Sequence, residues 1–379
     1  MRIKKSLKNI SKYEKNLKKS KLKGDILVKK KVFLFAYTQV NLGDDLFVEL
    51  MLKKYPEINF EIFVTDLKNA IAFNKYKNIK IYQKPDRDLS LIKPTDYDAI
   101  AFVSGSIFME NVGNGLKLMK EYEKFIKKCN EKNVPFYYIS SNFGPFSTQE
   151  FLNSAKETFE NCENICFRDK YSYNLFKDIN KVSYAPDLIF LYEMPERRIK
   201  NNTVGITVID LLIRKELKEY EENYIFLLKN NIINYIENGK EVYLFSFCNL
   251  EGDKDSIDKL LKSIPKEKQK HIHIIEYDGN IKKFLQIYSS MEYMICTRFH
   301  ATILSTLLLQ KSYHLIYSNK TVNVIEDLKL NFNKGLIKEL KKEYLLTLDK
   351  FKAEEQEKIN IIKKEARNQL KEFNKKINA

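Results

Sequence analysis

The stretch KVFLFAYT at Lys31–Thr38 decides the fold, because it is an almost unbroken apolar run followed at once by the turn NLGDD (41–45) and a helical pattern at Asp44–Tyr55. A short apolar run of this kind is typical of a strand that is buried on both faces, as in parallel sheets. Strand, tight turn and helix in this order begin an α/β unit. The stretch therefore predicts a parallel sheet covered by helices.

The alternation of strand and helix continues past Phe167, stops at the polar stretch EMPERRIKNN (Glu193–Asn202), and restarts with VGITVI at Val204–Ile209. Repeated alternation of this kind is the signature of parallel sheets with helices on both faces. We therefore predict the α/β class with two doubly wound, Rossmann-like domains. The expected segments are a basic N-terminal extension at 1–30, α/β domains at 31–195 and 203–335, and one long or two short C-terminal amphipathic helices within 336–379.

The 379 residues suit two linked domains, and 44% hydrophobic residues exclude a disordered chain. Of the net charge of +16, residues 1–31 carry +11, so the remaining 348 residues are almost neutral. This tail has no apolar core of a signal peptide, and no stretch of ~20 apolar residues occurs that would span a membrane. We expect a cytoplasmic protein.

The tail is either a solvated extension or an amphipathic segment that holds the protein peripherally on the anionic inner face of the membrane. No recognition motif supports nucleic-acid binding.

Cofactor motifs are missing from the sequence. The five cysteines include no CxxC pair and the four histidines no HxE motif, so no metal site is predicted. No GxGxxG, P-loop or GxSxG motif occurs, which speaks against a dinucleotide, a bound nucleoside triphosphate and a serine hydrolase. We expect a protein without metal or redox cofactor.

Candidate site residues follow predicted strands, where ligands of open α/β sheets bind. Gly residues there let the backbone approach a ligand, and Arg is the natural clamp for a carboxylate or phosphate. Taken alone, the motifs at 41–45, 104–106 and 142–146 are explained by structural turns, and Arg168-Asp169 by an internal ion pair that caps the next helix. The candidates in the first predicted domain are Asn41, Gly43, Asp44, Asp45, Ser104, Gly105, Ser106, Asn142 and Arg168.

The most specific candidate is TRFH at 297–300, between a predicted strand at Tyr293–Cys296 and an apolar helix. Thr297 is the predicted N-cap, which places Arg298 and His300 in the first helical turn. A bound anion would raise the pKa of His300. An anionic substrate could therefore cause the imidazole to take up the proton that is later transferred to that substrate. The competing interpretation is a histidine packed in the apolar helix.

Together these segments resemble the polysaccharide pyruvyl transferase family. The matching pieces, in the order of the family, are NLGDD (41–45), VSGSI (103–107), SNFGPFS (141–147), FRDKYS (167–172), APDLIF (185–190), VGITV (204–208), CTRFHATILS (296–305) and YSNK (317–320). The resemblance implies a two-domain fold similar to GT-B glycosyltransferases. It also implies transfer of a pyruvyl group from phosphoenolpyruvate to a saccharide as a ketal, with release of phosphate.

The resemblance assigns roles to the candidates. Arg298 is the first choice for binding the donor, with Arg168 and Lys320 as weaker choices, and His300 is the candidate general acid. Asp44 or Asp45 would orient or deprotonate the acceptor hydroxyl. The implied partners are phosphoenolpyruvate and a saccharide, which we expect to be a lipid-linked precursor of a cell-surface polysaccharide.

Three positions depart from the pattern of the family. Ser104-Gly105-Ser106 replaces a Gly-rich run, Asp45 replaces Glu, and Phe299 replaces Leu between the Arg and the His. These changes bear on the choice of acceptor more than on the donor chemistry. The alternatives to be tested are a GT-B nucleotide-sugar glycosyltransferase and a non-catalytic protein that binds an anionic glycan.

Overall fold

A computed structural model describes residues 29–85 and 88–378. The +11 tail lies almost entirely outside them. The first domain contains a parallel sheet in the order β3-β2-β1-β4-β6-β7-β8, with the short β5 paired to β6. Its strands are β1 (Lys31–Phe35), β2 (Asn59–Val64), β3 (Ile79–Gln83), β4 (Ala99–Val103), β5 (Ser106–Phe108), β6 (Phe136–Phe143), β7 (Asn164–Phe167) and β8 (Val182–Tyr184).

The α-helices described in this domain each begin at a side chain that accepts a hydrogen bond from the first turn. They are α1 (Leu42–Lys54), α2 (Gly115–Glu131), α3 (Gln149–Asn161) and α4 (Lys170–Phe176), with Asn41, Asn114, Thr148 and Asp169 as their caps. Such caps satisfy backbone N–H groups that have no partner within the helix. The caps therefore set where each helix starts after its strand.

The second domain repeats the design with a parallel sheet in the order β11-β10-β9-β12-β13-β14. Its strands are β9 (Lys200–Thr207), β10 (Glu241–Ser246), β11 (Ile272–Glu276), β12 (Met291–Cys296), β13 (Lys311–Ile316) and β14 (Asn333–Leu336). Its helices are α5 (Glu221–Glu237), α6 (Asp253–Lys262), α7 (Lys266–Gln269), α8 (Ile281–Ser289), α9 (Phe299–Leu307) and α10 (Asn319–Asp327). The predicted α/β class with two doubly wound domains is confirmed.

Three strands of the structure, β3, β5 and β14, have no clear strand pattern in the sequence. Each is short or lies at a sheet edge, where side chains are partly exposed and the apolar run is broken. Edge strands need fewer apolar residues than central ones, so their pattern is weak. The predicted start of the second domain is also late, because β9 extends back to Lys200 through polar residues that are exposed at the sheet end.

The C-terminal segment forms two short helices, α11 (Gln356–Ala366) and α12 (Lys371–Ile377), joined by a 3-10 turn. They return to the first domain. The Gln369 side chain donates to the carbonyls of Phe167 and Ala185 and accepts from the Ser140 backbone N–H, which ties the segment to β6, β7 and the residue after β8. Phe373 packs edge-on against Tyr55 and Tyr137.

The two domains share one apolar core cluster. It includes Val32 and Leu46 of the first domain, Phe245 and Met294 of the second, and Phe373 of the C-terminal helices. Burial of a continuous apolar surface holds the domains together, at roughly 25 cal/mol per Å² of apolar area removed from water. Among the described residues, no helix combines the length and the apolar character needed to cross a bilayer.

Candidate functional site

The carboxyl ends of the two sheets face each other, and the residues that follow the strands meet there. Asn41, after β1, donates from its side chain to the Glu251 carboxylate, after β10 (3.1 Å). Arg168, after β7, lies 3.4 Å from the His300 ring, after β12. Since ligands of doubly wound sheets bind at these ends, the contact region is the candidate site.

Arg168 anchors the side of the site that belongs to the first domain. Its guanidinium is almost fully buried and donates to the Asp187 carboxylate (2.9 Å) and to the Asn142 side-chain oxygen (2.7 Å). A weaker bond of 3.4 Å reaches the Ser106 hydroxyl. Gly105 makes room for this arrangement, because a Cβ there would lie 2.2 Å from the guanidinium. The turn Ser104-Gly105-Ser106 therefore packs against the Arg168 guanidinium.

Asp169 does not pair with Arg168, as an internal ion pair would require. It caps α4 by accepting from the Ser172 backbone N–H (2.8 Å) and side-chain hydroxyl (3.0 Å). The partner of Arg168 is instead Asp187, whose pKa burial raises while Arg168 lowers it. The motif APD at 185–187 therefore contributes a carboxylate that orients the arginine.

His300 lies between the domains and is partly buried. Its ring rests on Gly43, where a Cβ would be only 1.7 Å from Nδ1, and packs edge-on against Phe47 with ring centres 5.6 Å apart. Burial, together with the charges of Arg168 and Lys320, holds the pKa of His300 well below its usual value. The ring is therefore neutral without a ligand, and a bound anion would raise its pKa.

Asp44 is the carboxylate that faces this cluster. Its Oδ1 accepts from the Ser104 hydroxyl (3.1 Å), and burial and Glu251 raise its pKa to about 7. A carboxyl with a pKa near the working pH is suited to general acid–base catalysis. Its neighbour Asp45 is buried against the second domain and accepts from the Tyr277 hydroxyl (2.7 Å). Of the two aspartates, the geometry brings Asp44 to the site.

Lys320, in the first turn of α10, supplies a cation from the second domain. Its Nζ donates to the Ser106 hydroxyl (3.3 Å) and lies 5.6 Å from the centre of the Phe299 ring. Within residues 29–85 and 88–378 it forms no ion pair with a carboxylate. Burial and the nearby Arg168 lower its pKa. The charge of Lys320 is therefore free for an anionic ligand.

Arg298 has a different environment from the one expected for the main donor clamp. Its guanidinium is buried and bonds to both oxygens of Asp253 and to the Glu251 carboxylate. Two carboxylates next to one guanidinium leave no net positive charge for a ligand. The ranking of the cations is therefore reversed, and Lys320 and Arg168 come before Arg298.

Thr297 is not the N-cap of α9, which corrects a second expectation. The helix begins at Phe299, Arg298 is in the cap position, and no side chain bonds to the first turn. The reason is that the Thr207 hydroxyl accepts from the Thr297 backbone N–H (2.7 Å), which holds this residue in the sheet. The first turns of α9 and α10 both lack a side-chain cap, and they carry His300 and Lys320, which contact Arg168 and Ser106 at the site.

Phe299 connects the two sides of the site. The Arg168 guanidinium lies 4.1 Å from the centre of its ring, close enough for a cation–π interaction. A flat aromatic ring suits this role better than the leucine of the related pattern, because a guanidinium stacks on it. The phenylalanine thus helps to keep Arg168 directed toward His300.

Sequence reasoning missed Glu251 and Asp253, which neutralise Arg298, and Arg214, whose Nη2 lies 3.4 Å from Glu251. Both acidic residues follow β10, so their position at a strand end was the available signal. Asp187 was noted only as part of a turn. Among the described residues, no group of three His, Cys, Asp or Glu side chains could hold a metal ion.

Two solved structures with a similar fold are described as UDP-GlcNAc 2-epimerases. The UDP-GlcNAc 2-epimerase from Methanocaldococcus jannaschii matches with a TM-score of 0.53 and 10% identity, over 88% of this chain and 90% of that one. A putative UDP-N-acetylglucosamine 2-epimerase from Listeria monocytogenes matches with a TM-score of 0.51 and 13% identity, over 93% and 91%. At this identity the likeness concerns the GT-B-like fold alone.

The family comparison is more specific. The family model described as polysaccharide pyruvyl transferase matches residues 41–319, which begin at Asn41 and end one residue before Lys320. This range includes the strands from β2 to β13 and nearly all residues of the site described above. It covers well over half of the chain. The protein therefore belongs to the polysaccharide pyruvyl transferase family and is a transferase that modifies polysaccharides.

Proposed function

We propose that this protein transfers the pyruvyl group of phosphoenolpyruvate to two hydroxyls of a saccharide, forming a ketal and releasing phosphate. The observation that carries the proposal is the meeting of Arg168 and Lys320 with His300 and Asp44 between the domains. Two cations suit a donor that carries both a carboxylate and a phosphate. The imidazole and the carboxyl supply the proton transfers.

Donor binding is assigned to Lys320 and Arg168. Lys320 has no carboxylate partner among the described residues, and Asp187 leaves the Arg168 face toward His300 available. Desolvated ion pairs of this kind are stronger than exposed ones, because water no longer screens the charges. Binding of the multiply charged donor would also raise the pKa of His300, so that the imidazole takes up a proton as the donor arrives.

In the first step, protonated His300 gives its proton to the methylene carbon of phosphoenolpyruvate. The C=C electron pair forms the new C–H bond, and the adjacent carbon becomes an oxocarbenium-like centre. A saccharide hydroxyl attacks this centre and loses its proton to Asp44, whose pKa of about 7 lets it accept one at neutral pH.

In the second step, the C–O bond to phosphate breaks and a second hydroxyl of the saccharide attacks the same carbon. The two hydroxyls release two protons in total. One of them replaces the proton that His300 delivered to carbon, and the other leaves with the phosphate. The sum is phosphoenolpyruvate plus a diol giving a ketal plus hydrogen phosphate, with no oxidant and no metal in the balance.

The direct test is phosphate release from phosphoenolpyruvate by the full-length chain across a panel of glycan acceptors. We expect release that depends on one acceptor class and a product that is heavier than the acceptor by the pyruvyl group in mass spectrometry. UDP-GlcNAc serves as the comparison donor, since a nucleotide-sugar glycosyltransferase would be stabilised by it in a thermal shift assay. Stabilisation by UDP-GlcNAc and not by phosphoenolpyruvate would reject the proposal.

A non-catalytic glycan-binding protein is the other rival. Its ligand affinity would survive replacement of His300 by Asn, and so would its biological function. The transferase retains phosphoenolpyruvate binding in the same variant but loses turnover. The two hypotheses therefore predict different outcomes for the function of the His300→Asn variant.

We further propose that the acceptor is lipid-linked and that the basic tail holds the enzyme on an anionic membrane. The support is the +11 charge of residues 1–31. The strand β1 begins at Lys31, at the end of the sheet opposite the site. Co-sedimentation with vesicles containing anionic lipid should be strong for the full chain and weak for a chain that begins at Lys31. Equal binding of both chains would refute this role.

A further inference from the structure

A cavity lies on the seam between the domains, and its lining contains none of the catalytic-site residues Asp44, Arg168, His300 and Lys320. It has a volume of about 400 Å³ and is bounded by α1, the linker between the domains and α8. The two sites are on the same helix, since α1 presents Asp44 in its first turn and Glu49 and Lys53 in later turns. The lining residues are Glu49, Lys53, Lys75, Tyr76, Tyr192, Glu193, Met194, Pro195, Lys282 and Leu285.

Glu49 organises one wall of this cavity. It is almost fully buried, and its two carboxylate oxygens accept from the hydroxyls of Tyr76 (2.5 Å) and Tyr192. Burial raises its pKa, but these two bonds and the nearby lysines bring the pKa below its usual value. The carboxylate is therefore ionised, and the tyrosines occupy both of its oxygens and hold the two rings in place.

Lysines surround the cavity from both domains. Lys53 and Lys75 lie 3.2 and 3.3 Å from the Glu49 carboxylate, but each side chain remains 52% exposed. Lys282, on α8 of the second domain, is exposed and makes no hydrogen bond or ion pair within residues 29–85 and 88–378. Because tyrosine hydroxyls already satisfy Glu49, these ammonium groups can turn toward an anion without leaving the carboxylate bare.

The remaining groups indicate what is attached to the anion. Glu193 is exposed and has no hydrogen bond or ion pair among the described residues, so its carboxylate can accept from hydroxyls. The Tyr76 and Tyr192 rings each lie beneath a lysine ammonium group, Lys75 at 5.3 Å and Lys53 at 5.0 Å from the ring centre, which keeps both cations at the cavity. Small-molecule sites usually have volumes of ~300–1,000 Å³, which is far more than an inorganic anion needs.

We propose that this cavity is a second ligand site that takes a monosaccharide phosphate, with the phosphate toward Lys75 and Lys282 and the sugar hydroxyls toward Glu193. The proposal does not depend on the chemistry assigned to the catalytic site. Since Lys75 belongs to the first domain and Lys282 to the second, the ligand bridges the seam. Its binding should therefore also stabilise the full chain against thermal unfolding.

Isothermal titration calorimetry of the full-length chain with glucose 1-phosphate tests the site. The double variant Lys75→Gln/Lys282→Gln removes the two lysines, both of which are half or fully exposed, so the fold should persist. We expect its affinity to fall at least about tenfold. Lys283→Gln is the control for the Lys282 substitution, because it removes one positive charge from the same helix but outside the lining of the cavity. The control should bind within about twofold of the unchanged chain.

Lys320→Gln separates this cavity from the catalytic site. We expect it to weaken phosphoenolpyruvate binding while glucose 1-phosphate binding persists. If glucose 1-phosphate binding is lost in Lys320→Gln and kept in the double variant, the ligand occupies the catalytic site and the proposal is wrong. It is equally wrong if the unchanged chain does not bind the probe at millimolar concentration, or if Lys283→Gln weakens binding as much as the double variant does.

Discussion

Two arginines, one in each domain, follow a strand of the parallel sheet and yet have different surroundings. Arg168 follows β7 and Arg298 follows β12, and both are almost fully buried. Arg168 forms an ion pair with one carboxylate, that of Asp187, and the rest of its guanidinium faces the site. Arg298 forms ion pairs with two carboxylates, those of Glu251 and Asp253. The comparison teaches that a buried charge serves a ligand only when its own protein leaves it incompletely neutralised.

The largest expected effect concerns His300, which faces Arg168. His300→Asn keeps a polar side chain, although a smaller one, and cannot deliver the proton to carbon. We expect turnover to fall by about 10²–10⁴-fold, in line with the usual contribution of general acid–base catalysis. Phosphoenolpyruvate affinity, measured by calorimetry, should remain within a few-fold, because the cations are intact.

Two results for His300→Asn would contradict its assignment as the general acid. If turnover survives at a tenth or more of its original value, the acid is another group, and Asp44 is then the next to test. If turnover and donor affinity fall together, His300 acts in binding and the assignment of roles around Arg168 is wrong. Far-ultraviolet circular dichroism checks that the variant is folded.

The next effect concerns the stability that Arg298 provides. Arg298→Gln leaves Glu251 and Asp253 without their cation, and removal of one partner from a buried ion pair costs about 3–5 kcal/mol. We expect a loss of this size in urea unfolding. A loss below about 1 kcal/mol would show that the carboxylates are satisfied in another way, for instance by Arg214.

A matched pair of substitutions then tests the comparison itself. Arg168→Lys and Arg298→Lys both keep a charge and lose the two-pronged hydrogen bonding of the guanidinium. Arg168→Lys should weaken phosphoenolpyruvate binding about 10–100-fold, and Arg298→Lys by less than about threefold, although it should be the less stable variant. Equal losses of donor affinity in the two variants would mean that Arg298 binds the donor as Arg168 does.

The smallest effect is a dependence of stability on pH. Burial raises the pKa of Asp44 to about 7, so between pH 4 and 7 the folded chain binds this proton more tightly than the unfolded chain does. Stability therefore falls as pH rises through that window and levels off above it. Asp44→Asn removes the contribution and should be more stable at pH 8 by about 1–2 kcal/mol, a value reduced because Asp44 is only partly buried.

Asp44 also links stability to activity with the opposite sign. As a base, it works only when ionised, so the rate of the unchanged enzyme should decline below pH 7. Melting curves and initial rates across pH 5–8 measure both effects on the same samples. Absence of a stability difference between Asp44→Asn and the unchanged chain at pH 8 would show that the carboxyl is not desolvated as the structure indicates.

The sequence by itself determined the two-domain α/β fold and the small set of residues at the site. Central strands such as AIAFV at Ala99–Val103 are apolar throughout because both of their faces are covered, and this local pattern is readable without a structure. The polar turns after these strands identified most site residues, because the topology of a parallel sheet brings its strand ends to one edge.

The tertiary structure alone decided which charges at that edge are free. Ion pairing of Arg298 with Asp253, and of Arg168 with Asp187, joins residues that are 45 and 19 positions apart, and no periodicity or motif announces such pairs. The pKa of Asp44 likewise depends on burial between two domains and on Glu251, more than 200 residues away. Whether a charged side chain is free to bind a ligand depends on all the charges around it in space. The order of residues along the chain does not reveal which of them become neighbours.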